Sequence, residues 1–195
     1  CYGSIAAYWL PGILAAFQKD FPSVEVEIME AGSRQIEQLM EERQVDLCLY
    51  AGSEGRGYEW IPLKSDPMLV LTAQDHPLAK RQRVSHEALG QEKFIAPMKQ
   101  FDGEVYEILS TFPVQPVTAF SACSDYAIIN MVGMGLGVSI LPELLVKNYA
   151  ADTAVLELDP PVSRTLGMGI PQMKTISPVT RSFMKYVEQY VKENG

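Results

Sequence analysis

The first apolar positions of the chain recur at helical spacing. Leu10 and Phe17 fall on one face of a helix that the pattern predicts over residues 5–20. Ser4 precedes this helix and is expected to cap it, because a serine hydroxyl accepts a hydrogen bond from a free N–H group of the first turn. Pro11 falls early in the helix, where its missing N–H costs least, and a slight kink is expected there.

Strands and helices then follow each other at short intervals. The alternation of apolar and polar positions over 24–28 predicts a strand, Ile36, Leu39 and Met40 share one face of a helix, and 45–50 is the next strand. This order, with short connections, favours a parallel sheet in an α/β fold. Further strands are predicted over 60–63, 68–72, 94–98, 117–120, 154–158 and 164–170, and further helices over 85–89, 103–111, 124–131 and 178–192.

The segment Met131–Pro142 is the most informative stretch of the sequence. It predicts the apolar end of a helix, a turn rich in glycine, and a short buried strand that Pro142 closes. Gly133, Gly135 and Gly137 allow positive φ angles or close approach of a neighbouring segment. The order is helix before strand, which is the reverse of a dinucleotide-binding G-x-G-x-x-G loop, so no phosphate loop is predicted.

The spacing of the predicted elements indicates two similar α/β units. One comprises residues 1–72 and the returning segment 170–195, and the other comprises 73–169. Two crossing segments, near Thr72 and near Ile170, are expected to act as a hinge.

Composition and charge exclude several classes of function. With 195 residues, 47% of them hydrophobic, the chain is long enough and apolar enough to form one large domain or two small domains, each with a hydrophobic core. A net charge of −8 argues against binding of nucleic acid by this chain alone, because phosphates require clustered Lys and Arg. The sequence holds no apolar run of about 18 residues, so no membrane association is expected. Three widely spaced cysteines fit a reducing cytosol better than a disulfide framework.

Candidate binding groups lie where predicted strands lead into helices. Parallel α/β sheets bind ligands beyond the carboxyl ends of their strands, where helix N-termini direct N–H groups outward. Four loops meet this condition, and the end of the strand at 50–52 is expected to line the same site. The loops are Gly3–Ser4, Gly32–Ser33, Ala96–Lys99 and Ala122–Asp125. Ser4, Ser33 and Ser124 are as well explained as plain N-caps, each stabilising by roughly 1 kcal/mol.

Several short motifs occur in an order that is typical of one family. The motifs are Gly3–Pro11, Phe17–Pro22, Glu30–Ser33 followed by Val45–Leu47, Asp75–Ala79, and Met131–Pro142. Through these motifs the chain resembles the effector-binding domain of LysR-type transcriptional regulators over nearly all of its 195 residues.

The resemblance implies a fold and a site. It implies two Rossmann-like subdomains joined by a two-strand hinge, as in type II periplasmic binding proteins, with an inducer in the cleft between them. Ser4, Ser33 and Pro97–Met98 match positions where members of the family often hold an effector. Together with the loops above, the expected ligand contacts are Ser4, Ile5, Gly32, Ser33, Tyr50, Pro97, Met98, Lys99, Cys123 and Asp125.

The resemblance also implies partners. A small-molecule metabolite is the expected effector, and a homodimer or homotetramer is the expected assembly, with Tyr8 and Trp9 of the first helix as a plausible dimer surface. DNA would be bound only through an N-terminal winged helix-turn-helix that would precede Cys1. A cytoplasmic location is expected, and no metal or cofactor is.

Three other functions remain open from the residues. A solute-binding protein of a transporter would share the fold but would carry a signal segment or lipid anchor. An enzyme is not expected, since His76 and His86 lack a nearby nucleophile and no HExxH, CxxC, P-loop or GxSxG motif occurs. Cys123 at a helix start suggests redox sensing, although Cys48 lies in an apolar strand and is a poor resolving partner.

Overall fold

The computed structural model describes residues 1–52, 58–99, 103–149, 152–171, 174 and 176–194. Its helices are α1 (Gly3–Tyr8), α2 (Leu10–Asp20), α3 (Ser33–Glu41), α4 (His86–Leu89), α5 (Glu104–Ser110), α6 (Asp125–Gly133), α7 (Glu143–Tyr149) and α8 (Pro178–Asn194). Its strands are β1 (Cys48–Ala51), β2 (Glu59–Ala73), β3 (Arg83–Ser85), β4 (Lys93–Pro97), β5 (Val117–Ala122), β6 (Ser139–Pro142), β7 (Thr153–Asp159) and β8 (Ser163–Ile170). The predicted α/β class is confirmed.

The chain divides into two compact units. Unit 1 comprises Cys1–Ser65 and Thr165–Gly195, and unit 2 comprises Asp66–Arg164. β2 and β8 each run from one unit into the other, so the chain crosses within strands and not in loops.

Unit 1 has helices α2 and α8 packed together through aromatic side chains. The Phe17 ring meets the rings of Phe183 and Tyr186 edge-on, at centroid distances of 5.0 and 5.4 Å. Tyr190 lies over Gly12, where a Cβ would stand only 2.3 Å from the tyrosine ring, so the missing side chain of Gly12 allows this close approach. These contacts hold α8 against the first part of the chain.

The single helix predicted over 5–20 is two helices. α1 ends at Tyr8 and α2 begins at Leu10, because Pro11 has no N–H to donate to the preceding turn. The prediction that Ser4 caps the helix is also wrong. Tyr2 is the N-cap residue, and Ser4 is buried inside α1 with 5% of its surface exposed.

The sheets are mixed and not parallel throughout. In unit 1, β1 pairs antiparallel with β8, with Cys48 opposite Gly169. In unit 2, β2 pairs antiparallel with both β6 and β7, whereas β3 pairs parallel with β7 and β4 pairs parallel with β5. The predicted parallel sheet is therefore wrong for the crossing strands, because each enters its unit against the direction of its neighbour.

Two strand predictions are wrong in instructive ways. The strands expected over 60–63 and 68–72 are one strand of 15 residues, β2, which continues through Pro62 and Pro67. The strand expected over 24–28 is absent, since no strand is assigned to the described residues between Phe21 and Gly32. A strand requires a hydrogen-bonding neighbour, which alternation in the sequence cannot supply.

The glycine-rich joint after α6 is confirmed. The turn links α6 to β6, and Gly135 takes a left-handed φ of 72°. Gly137 lies against the neighbouring strand, where an added Cβ would stand 2.6 Å from the Lys93 carbonyl oxygen. The next residue, Val138, donates from its N–H to this oxygen at 2.8 Å. Gly133 has neither a positive φ nor a close neighbour, because the atom nearest to an added Cβ would be 3.6 Å away.

A buried ion network joins four elements of unit 2. Arg164 on β8 donates to Asp66 on β2 at 3.0 Å and to Glu104 on α5 at 3.2 Å. The Asp66 carboxylate also accepts from the N–H of Leu144, in the first turn of α7, at 2.9 Å. The Asp66 side chain is 1% exposed and that of Arg164 is 8% exposed, so neither charge has water as an alternative partner.

We expect Gly137→Ala to destabilise the chain by about 1–3 kcal/mol, because the new methyl group meets a backbone carbonyl that cannot move aside. Gly133→Ala is the matched control, and it should be neutral or gain up to about 1 kcal/mol as a helical alanine. Urea unfolding followed by circular dichroism measures both. Equal losses in the two variants would show that close packing at Gly137 is unimportant.

We expect Arg164→Met to cost about 3–5 kcal/mol, because it leaves the Asp66 carboxylate buried without its cation. Arg83→Met is the control, since Arg83 pairs with Glu157 at 2.8 Å but both side chains are mostly exposed. The control should change the free energy of unfolding by less than about 1 kcal/mol. Similar effects of the two substitutions on denaturant unfolding would contradict a special role for the buried network.

Candidate ligand-binding site

Backbone hydrogen bonds bring three predicted binding loops of unit 1 to one edge. The backbone nitrogen of Cys1 donates to the Met29 carbonyl at 2.7 Å, and the Ala31 N–H donates to the Cys1 carbonyl at 3.1 Å. On the other side, the Tyr2 N–H donates to the Leu49 carbonyl at 3.1 Å. The start of α1, the residues before α3 and the end of β1 therefore lie side by side.

The serines of this edge do not act as side-chain caps. Gly32 is the N-cap residue of α3 and Ser33 is its first residue, with no side-chain cap bond. Ile5 is fully buried, so its side chain belongs to the core of unit 1. An added Cβ on Gly3 would stand 3.1 Å from a carboxylate oxygen of Glu30, which places an acidic group beside the start of α1.

Tyr50 is the best-defined polar group at this edge. Its side chain is fully buried, and its hydroxyl is hydrogen-bonded to that of Tyr58. Its ring meets Tyr2 and Trp60 at centroid distances of 6.0 and 5.2 Å. Burial, reinforced by the hydrogen bond to Tyr58, raises the pKa of Tyr50, so the phenol stays neutral.

Three residues of this aromatic group, Tyr2, Tyr58 and Trp60, were not predicted as part of the site. Tyr58 and Trp60 stand two positions apart in the sequence and surround Tyr50 with aromatic surface. Trp60 lies on β2 and Tyr58 directly precedes this strand, and their i, i+2 spacing is the signal that the two side chains point to the same side of the extended backbone. The residues between Gly52 and Tyr58 lie outside the described part of the chain.

A second group of predicted residues lies in unit 2. Pro97 at the end of β4 stands opposite Ala122 at the end of β5, and the Met98 N–H donates to the Ala122 carbonyl at 2.9 Å. Tyr106, which was not predicted, donates from its hydroxyl to the Pro97 carbonyl at 3.0 Å. The Lys99 ammonium lies 5.7 Å from the centre of the Tyr106 ring, within range of a cation–π interaction. Helix position alone offered no signal for Tyr106.

The loop between β5 and α6 presents the remaining predicted residues. Cys123 is exposed, Ser124 is the N-cap residue of α6 without a side-chain cap bond, and Asp125 is the first helical residue. Ser124 thus takes the N-cap position that was one of its two interpretations, but without a bond from its side chain, and Asp125 supplies the acidic side chain of the first turn.

The predicted contacts therefore fall into two clusters, each within one unit. The unit 1 cluster contains Ser4, Ile5, Gly32, Ser33 and Tyr50, and the unit 2 cluster contains Pro97, Met98, Lys99, Cys123 and Asp125. Within the described residues, no group of three His, Cys, Asp or Glu side chains is placed to hold a metal ion. No helix in the described part of the chain is both long and apolar enough to cross a membrane.

The thiol of Cys48, which lies on β1 in unit 1, is buried, and its titration provides a test of that burial. Burial raises the pKa of its thiol from 9.0 to about 11. Because the folded chain holds this proton more tightly than the unfolded chain, the contribution to stability is complete below pH 9 and is lost as the pH rises through about 11.

We therefore expect the free energy of unfolding to fall by on the order of 2 kcal/mol between about pH 8 and about pH 11 through this thiol. Cys48→Ala should lose correspondingly less over the same range, whatever its stability at the lower pH. Urea unfolding of both proteins at both pH values measures the difference. Parallel pH profiles for the two proteins would show that the Cys48 thiol is not the titrating group.

The chain is similar in sequence and fold to the regulatory domains of one family of transcriptional regulators. The family described as LysR substrate binding domain matches residues 1–192. The HTH-type transcriptional regulator YybE of Bacillus subtilis is 27% identical over 187 residues, which is 94% of this chain and 64% of YybE. OxyR of Escherichia coli, a DNA-binding transcriptional dual regulator, is 28% identical over 175 residues, covering 85% of this chain and 56% of OxyR. The chain thus spans less than two thirds of the length of these relatives.

A solved structure agrees with the family match. The regulatory domain of CcmR from Synechocystis PCC6803, solved in complex with 2-PG, superimposes with a TM-score of 0.89 at 24% identity, covering 98% of this chain and 95% of that one. At this identity the likeness establishes the fold, which is the type II periplasmic-binding-protein-like fold expected from the sequence. The chain therefore belongs to the LysR substrate binding domain family, the effector-binding domains of LysR-type transcriptional regulators.

Proposed function

We propose that this chain senses a small-molecule effector as the regulatory domain of a longer, cytoplasmic LysR-type transcriptional regulator. The family match over residues 1–192 carries the proposal. The two clusters support it. The unit 2 cluster lies where β4 and β5 lead toward α5 and α6, a place where proteins of this architecture hold ligands, and the unit 1 cluster gathers the starts of α1 and α3 and the end of β1.

The chemistry of the clusters favours a small polar effector. The unit 1 cluster offers backbone N–H groups at the start of α3, the hydroxyl of Ser33 and an aromatic wall around Tyr50. The unit 2 cluster adds one cation, Lys99, beside Tyr106. A small carboxylate or a neutral polar metabolite fits these groups, and the 2-PG bound by CcmR supports a ligand of this size.

Sensing requires that the effector distinguish two states of the protein. A ligand shifts a conformational equilibrium only by the difference in its affinity for the two states, so tight binding alone would change nothing. We propose that the change passes through a homodimer or homotetramer to DNA-binding domains outside this chain. Of the two residues expected at a dimer surface, Trp9 is 2% exposed and packs within unit 1, which leaves Tyr8.

The two histidines, His76 and His86, which were considered as possible catalytic residues, make structural contacts. His76 accepts a hydrogen bond at Nδ1 from the Leu78 N–H, at 3.2 Å, and caps the 3₁₀ helix Pro77–Lys80. His86 stacks on Phe112 at a centroid distance of 4.2 Å. These contacts favour a binding domain over an enzyme.

Redox sensing through Cys123 is an alternative function, and the similarity to OxyR makes it worth testing. The environments of the Cys123 and Cys48 thiols argue against it. Cys123 is exposed, as a sensor thiol would be, but Cys48 is buried and its raised pKa keeps it protonated. The gene sequence upstream of Cys1 distinguishes the regulator from a solute-binding protein of a transporter. A helix-turn-helix encoded there would favour the regulator, and a signal segment would favour the transporter.

We expect a thermal-shift screen of metabolites to yield a binder whose affinity falls about tenfold in Ser4→Ala and in Ser33→Ala, as loss of one hydrogen bond to a ligand predicts. Ser110→Ala is the control, because Ser110 is exposed on α5 and bonds to its own helix. Isothermal titration calorimetry of each folded variant gives the affinities. A confirmed binder that neither Ser4→Ala nor Ser33→Ala weakens would disprove the unit 1 site.

A further inference from the structure

The buried ion network of unit 2 lies where both crossing strands leave that unit. Asp66 is the first residue of unit 2 on β2, and Arg164 is its last residue on β8. The Met68 N–H donates to the Val162 carbonyl at 2.9 Å, so the two chain segments also share a backbone hydrogen bond there. The side-chain and backbone bonds together hold the two crossing segments to each other inside unit 2.

One guanidinium in this network bonds two carboxylates of unequal exposure. Arg164 pairs with Asp66 and with Glu104, whose side chains are 1% and 21% exposed. Asp66 is also held by the N–H of Leu144 at the start of α7, and its burial makes any loss of the arginine costly. The Glu104 carboxylate borders water, so weakening of its bond to Arg164 costs less. Glu104 is therefore the member of the network that can shift most readily.

Helix α5 connects this network with the unit 2 cluster. Glu104 begins the helix, and Tyr106 donates from its hydroxyl to the Pro97 carbonyl at 3.0 Å. The Tyr106 ring also lies 5.7 Å from the Lys99 ammonium. Glu104 and Tyr106 both stand in the first turn of a helix of seven residues, so a displacement of one displaces the other. The helix thus contacts the candidate ligand loop at one residue and a crossing strand at the other.

We propose that the Glu104–Arg164 ion pair couples occupancy of the unit 2 cluster to the crossing strands β2 and β8. A ligand bound beside Lys99 shifts Tyr106, and α5 moves with it. The movement changes the pairing of Glu104 with Arg164. Because Arg164 also holds Asp66, the change reaches both strands at the residues where they leave unit 2. Glu104 is a positioning residue, since it acts on the strands through Arg164 and requires no contact with the ligand.

The regulatory meaning of this coupling rests on the proposed function, which places an effector in the unit 2 cluster. The coupling itself can be measured without an effector. Energetic coupling between two places in a protein acts in both directions and does not depend on what perturbs either place. A change made at Tyr106 in the absence of ligand must therefore alter the crossing strands, and it must do so only while Glu104 can pair with Arg164.

A double-mutant cycle in the full-length protein, with residue-resolved hydrogen exchange as the readout, tests the proposal. Tyr106→Phe keeps the ring and removes the bond to Pro97, whereas Glu104→Gln keeps the length of the side chain and removes its charge. We expect Tyr106→Phe to speed exchange of the Met68 amide about fivefold, but less than about twofold when it is added to Glu104→Gln. The amide of Val70, which lies on β2 between β6 and β7, should keep its exchange rate in all variants.

Ser110→Ala is the matched control, because Ser110 lies on the same helix and bonds to the Glu107 carbonyl within it, so the Met68 amide should not respond. An unchanged Met68 amide in Tyr106→Phe, or the same acceleration with and without Glu104→Gln, would overturn the proposal. Equal acceleration at Met68 and Val70 would also overturn it, because it would report a general loss of stability. A failed cycle would leave effector sensing standing, whereas a protein that binds no metabolite would still show the coupling.

Discussion

Two-sided backbone pairing at Cys1 and Tyr2 is the constraint on which unit 1 depends. One short stretch of chain bonds to Met29 and Ala31 on one side and to Leu49 on the other. These bonds fix the start of α1 beside the start of α3 and the end of β1, so they assemble the candidate binding edge.

Elements whose cause is local could be predicted from the sequence. Ser85 caps α4 by accepting from the Ala88 N–H, and the glycine-rich turn joins α6 to β6, because both depend on a few neighbouring residues. Strand pairing depends on segments far apart in the chain. β2 pairs with β6, β7 and β8, so its length through Pro67 could not be predicted from its own residues.

The candidate site shows the same division. The sequence located the loops that lead into helices, since strand ends and helix starts carry recognisable glycine and serine residues. It did not predict that Tyr58 would bond to Tyr50, or that Tyr106 would bond to Pro97. These contacts arise because the fold brings together side chains that have no common local pattern, and only coordinates show them.

The open side of β5 has a consequence for handling the protein. Among the described strands β5 pairs only with β4, and it carries Val117 and Phe120, which are 73% and 45% exposed. A free strand edge with apolar side chains is a template on which other chains can add, and natural proteins protect such edges with charge. Loss of material to aggregates during concentration would therefore begin at this edge, and a lysine in place of Val117 is a rational solubilising change.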